Sequence, residues 1–171
     1  MSREVVLDAA ERLFYARGVG AVGMADVRTA AGVSLKRLYQ LFGSKDELLL
    51  AFLDRRDVVW RGQLADFVSE HGGDPLAVFD WLEDWVSEPD FRGCAWINAF
   101  GELGAVSPAV LDRVRGHKAA FREYLIGLTP SADVADQLML LFEGATVTAA
   151  ITGSADAARQ AQVAAPLILG R

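Results

Sequence analysis

Glycines at positions 18, 32 and 43 divide the first 45 residues into three short pieces, and none shows strand-like alternation of useful length. Helices this brief are marginal alone and hold only when packed against one another. The stretch AAGVSLKRLYQLFGSKDELL, residues 30–49, sharpens the point. Gly32 and Gly43 bracket a very short helix that carries Lys36, Arg37, Tyr39 and Gln40, and Ser44 with Glu47 then restarts the chain as a capping box. A helix with so little to bury points its exposed face at something outside the protein.

The rest of the chain also reads as helix. Val6, Ala10, Leu13 and Phe14 fall at i, i+4, i+7 and i+8 on the buried face of a first helix, which Arg17-Gly18 ends. A second runs from about Met24 to Ala31 behind Gly23, and Ser34 caps a third from Leu35 to about Phe42. The fourth is long and apolar along Leu48, Leu49, Phe52, Val59 and Phe67 until His71-Gly72-Gly73; it would join two parts of the molecule rigidly. Asp74-Pro75 reads as N-cap and first residue of a fifth. A sixth covers 94–103, Ser107-Pro108 opens a seventh to Leu125, Ser131 caps an eighth from Ala132 to Thr152, and Ser154 starts a ninth that fades at Gly170. The predicted fold class is all-α, with about nine helices.

Charge locates the outward-facing chemistry. The net charge is −6, yet residues 24–45 hold Arg28, Lys36, Arg37 and Lys45 against Asp26 alone, leaving +3 there and −9 elsewhere. One basic segment on an acidic body is the pattern of localised phosphate contact. Cys94 is the single cysteine, so no internal disulfide can form, and a reducing compartment fits. Charges at positions 3, 4, 8, 11 and 12 leave no unbroken apolar run for a signal peptide. Val134–Ile151, interrupted by Asp136, Gln137 and Glu143, is expected to be too short and too polar to span a bilayer. A cytoplasmic protein without a membrane partner follows. His71, His117 and Cys94 lie far apart without ligand spacing, so no metal or cofactor is expected.

Two short helices joined at Ala30-Ala31-Gly32-Val33-Ser34 fit a helix-turn-helix, with Gly32 making the turn and Val33 plugging the core. Val33, Leu38, Leu41 and Phe42 then face inward, and Ser34, Leu35, Lys36, Arg37, Tyr39 and Gln40 surround the exposed end. A helix presented this way fits the major groove. Lys36 or Arg37 can donate to guanine, Leu35 can meet a thymine methyl, and Tyr39 and Gln40 can donate to phosphates. Lys45, in the first turn of the next helix, adds a cation where free amides already attract phosphate.

These residues resemble the DNA-binding signature of the TetR family of bacterial transcriptional regulators. The resemblance runs through Val27-Arg28, Ala31-Gly32-Val33-Ser34, Leu38-Tyr39, Phe42, Ser44-Lys45 and Asp46-Glu47-Leu48, and covers residues 3–53. The sequence departs from it at Gly23, where the family usually has Thr or Ser, and at Arg28, usually a small Ala; Arg28 offers a new phosphate contact. The resemblance implies a three-helix DNA-binding domain over 1–45 and a helical-bundle domain for ligand binding and dimerisation over 46–171. It further implies a homodimer on a palindromic double-stranded operator, repression as the usual sign, and release by a small-molecule effector. RGCAWINAFGEL, residues 92–103, is similar to a segment of some family bodies.

Within the body, Trp60, Phe79, Trp81, Leu82, Trp85, Trp96, Phe100, Phe121 and Phe142 can line an apolar cavity or simply fill a core, and Asn98 and Glu143 can orient a ligand or face solvent. Gly144, Ala145 and Thr148 are small enough for close helix approach, with Leu141 and Ile151 supplying apolar surface. Gln162 and Ala165 extend that surface onto the last helix, as a four-helix dimer interface or as internal packing. The rival class is a small-molecule-binding or thiol-dependent enzyme using Cys94 with a histidine and the first helices only structurally. A small buried cysteine is the plainer reading, and no catalytic residue is assigned.

Overall fold

A computed structural model describes residues 3–170; Met1, Ser2 and Arg171, which the sequence reading places at the two ends of its domains, lie outside the described residues. Among the described residues there are nine helices and no strand: α1 Arg3–Arg17, α2 Met24–Ala31, α3 Leu35–Leu41, α4 Lys45–Glu70, α5 Ala77–Val86, α6 Ala95–Leu103, α7 Pro108–Leu128, α8 Ala132–Thr152 and α9 Asp156–Ile168. The all-α expectation holds.

Packing divides the chain into two compact units. One comprises the residues up to Val58 together with Ala95–Arg115, and the other comprises Val59–Cys94 and the residues from Gly116 onward. α4 and α7 each contribute residues to both units, and α6 belongs to the first.

The first unit is centred on Val6, Leu7, Ala10 and Phe14 of α1, Val27 and Ala31 of α2, Leu38 of α3, Phe42, and Leu48, Leu49, Phe52 and Leu53 of α4, all buried. The rings of Phe14 and Phe52 meet with centroids 5.9 Å apart. Around the rim, Arg55 of α4 bridges Asp8 at 2.7 Å, Glu4 at 3.2 Å and Glu11 at 2.5 Å, three carboxylates spaced along one face of α1. Arg56 reaches Glu11 at 2.7 Å and stands 4.3 Å over the Tyr15 ring. Partly exposed ion pairs are individually weak, but several on one guanidinium fix the register of two helices. Arg113 of α7 pairs with Asp54 at 2.8 Å.

The second unit is held by the packing of α8 on α9 and of α5 on both. Arg122 of α7 pairs with Asp136 of α8 at 2.5 Å, and Lys118 pairs with Glu143 at 2.5 Å. The Arg122 guanidinium, bonded to the Asp136 carboxylate, holds that carboxyl below its ordinary range.

Three local expectations shift. The apolar stripe of α4 continues from Phe52 through Trp60, Leu64 and Val68 at four-residue steps, so Val59 points outward. α5 begins two residues later than Asp74-Pro75 suggests. Asp74 Oδ1 accepts from Leu76 N at 3.0 Å, and the backbone first makes tight i to i+3 turns before the helix proper. α8 has 21 residues and an 18-residue stretch of mean hydropathy 1.3, which passes for a membrane span by length and composition alone, where Val134–Ile151 is expected to be too short and too polar. Its charges nevertheless pair with α7, and its small-residue face packs on α9, which is how a bundle helix behaves.

Candidate nucleic-acid interface

The candidate interface is built from local chemistry. At the start of α2, Gly23 has no side chain with which to cap, and its own N–H donates to Asp26 Oδ2 at 2.8 Å. Asp26 therefore fastens from inside the helix an end where a hydroxyl would otherwise reach forward. At the other end Gly32 sits at φ +64°, a conformation that favours glycine, and Val33 N donates to Arg28 O at 3.2 Å. Ser34 Oγ then accepts from Arg37 N at 3.1 Å and starts α3. After α3, Ser44 Oγ accepts from Glu47 N at 3.1 Å, while Glu47 Oε2 accepts from Gly43 N at 2.9 Å. Both halves of the expected capping box are present, the return bond landing one residue early.

This scaffold turns Leu38 fully inward and buries Val33 and Phe42; Leu41 is half-buried. Ser34, Leu35, Lys36, Arg37, Tyr39 and Gln40 are all exposed. Leu35 and Tyr39 keep 47% and 48% of their surface in solvent. Among the described residues, no ion-pair partner is recorded for Lys36 or Arg37. Arg28 is exposed too, its guanidinium held by Thr29 Oγ1 at 3.1 Å, and Thr29 Oγ1 in turn donates to Ala25 O. An unpaired basic pair flanked by an apolar tip and hydroxyl and amide groups has the composition that base edges and phosphates require.

Lys45 has a second attachment. Its Nζ donates to Val19 O, 2.6 Å away in the α1–α2 connection. The ammonium has two further N–H groups for a phosphate. Lys45→Ala should weaken DNA binding evenly across sequences and lower the salt slope by about one unit. A weakened complex with an unchanged slope would leave Lys45 bonded to the loop alone.

The body residues separate into groups. Trp60, Phe79, Leu82, Trp85, Phe121 and Phe142 are buried in the second unit. Trp60 is central: its ring meets Trp81 at 5.2 Å, Phe121 at 5.4 Å, Trp85 at 5.7 Å and Phe142 at 6.1 Å. Sequence reading missed the buried His117, whose ring lies 5.1 Å from Trp60 and extends the cluster. Glu143 is engaged by Lys118. Trp96, Asn98 and Phe100 stand on α6 in the first unit; Trp96 is buried, whereas Asn98 and Phe100 are exposed. Cys94 is buried, with Lys118 Nζ 3.6 Å from its Sγ.

The candidate interface residues also divide. Gly144, Thr148 and Ile151 are exposed and Leu141 is half-buried. Ala145 and Ala165, by contrast, are buried in the chain's own packing, because alanines let α8 and α9 approach closely. Gln162 is tied to α5, donating to Asp80 Oδ1 at 3.0 Å. The outward stripe contains three residues not singled out from sequence. With Ile151, Leu140 of α8 and Val163 and Leu167 of α9 are between 75% and 79% exposed; Pro166 lies beside Leu167 inside α9.

Comparison with known proteins converges on one group. The model of bacterial regulatory proteins of the tetR family matches residues 6–52. A putative TetR transcriptional regulator from Streptomyces avermitilis is 31% identical, with 96% of this chain and 98% of that one covered at a TM-score of 0.78. A TetR-family transcriptional regulator from Streptomyces coelicolor is 27% identical, with 98% and 94% covered at a TM-score of 0.89. An uncharacterised HTH-type transcriptional regulator of Lactococcus lactis is 27% identical over 110 residues, which span 61% of this chain and 56% of that protein.

Proposed function

The chain belongs to the TetR family of transcriptional regulators, with a helix-turn-helix DNA-binding domain, and from that premise we propose that it is a homodimeric, ligand-responsive repressor. Residues 1–45 read a two-fold operator, and residues 46–171 dimerise and take a small apolar or amphipathic effector. The observation that carries the reading is α3, which exposes Leu35, Lys36, Arg37, Tyr39 and Gln40 together at its solvent side.

Dimerisation is supported by the outward apolar stripe of Leu140, Ile151, Val163 and Leu167, surface that a monomer would leave in water. Two recognition helices spaced about one DNA turn apart would read matching half-sites. The buried aromatic cluster around Trp60 suits an effector that is apolar itself. An effector preferring a different spacing of the two heads would draw the population away from DNA. Non-enzymatic action in the cytoplasm follows from this reading; Cys94, being buried, lacks the access a nucleophile needs.

A gel shift tests the DNA reading, using the promoter beside the chain's own gene at several salt concentrations. We expect a specific complex whose affinity falls steeply with salt. Equal affinity for that promoter and for unrelated DNA would defeat it.

A further inference from the structure

The connection between α1 and α2, Gly18-Val19-Gly20-Ala21-Val22-Gly23, is half glycine and carries no polar side chain. Its amides are used by a residue far along the chain. Glu102 of α6 accepts from Val19 N through Oε1 at 3.0 Å and from Gly20 N through Oε2 at 2.6 Å. The glycines make room for it. Gly18 adopts φ +82°, and a Cβ there would stand 3.1 Å from Glu102 Oε1; one on Gly20 would stand 3.2 Å from Oε2. The opposite side of the same residue is held as well, since the Val19 carbonyl accepts from Lys45 Nζ, and the Val19 side chain is buried. The peptide that delivers the chain into α2 is thus gripped by α6 through its N–H and by α4 through its C=O.

α2 packs on α1 and carries α3 through the Gly32 turn, so the loop's position helps set where α3 points. α6 packs in the same unit as these helices, and the chain enters it directly from Cys94, a residue of the other unit. We propose that Glu102 is a positioning residue for DNA recognition: its carboxylate couples α6 to the α1–α2 connection, so that the placement of α6 and of the reading head are linked. The inference rests on α3 being the DNA-reading element and adds the route by which the body reaches it. A residue that merely tidied the loop would stabilise the head without linking α6 to DNA.

Hydrogen exchange on the full chain, with and without an operator duplex as the probe, separates these roles. In the unaltered chain the duplex should slow exchange in α3 and also in α6, residues 95–103. Glu102→Gln keeps the shape but replaces one acceptor with an NH2 group that faces an amide donor. It should retain protection of α3, lose that of α6, and bind the duplex roughly ten-fold more weakly, the scale of a lost hydrogen bond to a charged group. Gly20→Ala crowds the same carboxylate from the loop side without touching α6, and should shift both readouts in the same direction if Glu102→Gln fails to fold. Retained α6 protection in the variants would overturn the coupling. Absence of α3 protection in the unaltered chain would overturn both the coupling and the DNA reading beneath it, whereas α3 protected and α6 not would overturn the coupling alone.

Discussion

Arg37→Ala and Lys36→Ala should each weaken specific DNA binding by about 1–3 kcal/mol and relax the preference for particular bases, the cost of one lost bidentate base contact. Both side chains project from a helix whose inward face is already committed to Leu38, and among the described residues neither has a recorded ion-pair partner to lose. The stability of the isolated protein should therefore change little. Competition assays against duplexes altered one base pair at a time will read the effect directly. Variants that keep the original affinity and selectivity would show that the helix does not enter the groove as described.

Thr148→Arg should produce a larger effect by a different route. Thr148 is exposed on α8, on the side that carries Gly144 and Ile151. An arginine placed there would put an unpaired charge at the centre of the proposed contact, a penalty of several kcal/mol when buried. The variant should sediment as a folded monomer and lose operator affinity, because a single half-site offers too few contacts. Ala145→Arg is the informative contrast. Ala145 is 6% exposed inside the chain's own packing, so the same substitution there should unfold the body rather than separate protomers. An original chain that is already monomeric, or a Thr148→Arg protein that remains dimeric and binds normally, would place the interface elsewhere.

Sequence was most informative where the determining physics is local. Ser131 starts α8 as expected because a cap is a hydrogen bond to a residue three positions away. The exposed face of α3 was legible for the same reason: a seven-residue helix with a buried Leu38 leaves few choices. The body was harder. Small residues serve equally for a helix's neighbour in its own chain and for one in another chain, so Ala145 and Ala165 could not be told from Thr148 by size. Val59 lay within one residue of the true stripe, and only the accumulated turn of α4 decides between it and Trp60. Glu102 was invisible because its partners lie 82 and 83 residues earlier. The signal that could have found it is the loop itself, which has no polar side chain of its own to accept from its two adjacent amides.

The outward stripe on α8 and α9 also bears on gene dosage. If the chain binds DNA only as the dimer proposed above, the dimer concentration below its dissociation constant rises with the square of the chain's concentration, while above it the dependence becomes linear. A regulator of this kind would respond to its own abundance as well as to an effector. Halving its expression would then lower the dimer concentration, and with it the occupancy of an unsaturated operator, about four-fold in the dilute regime, without any change in the affinity of the dimer for its site.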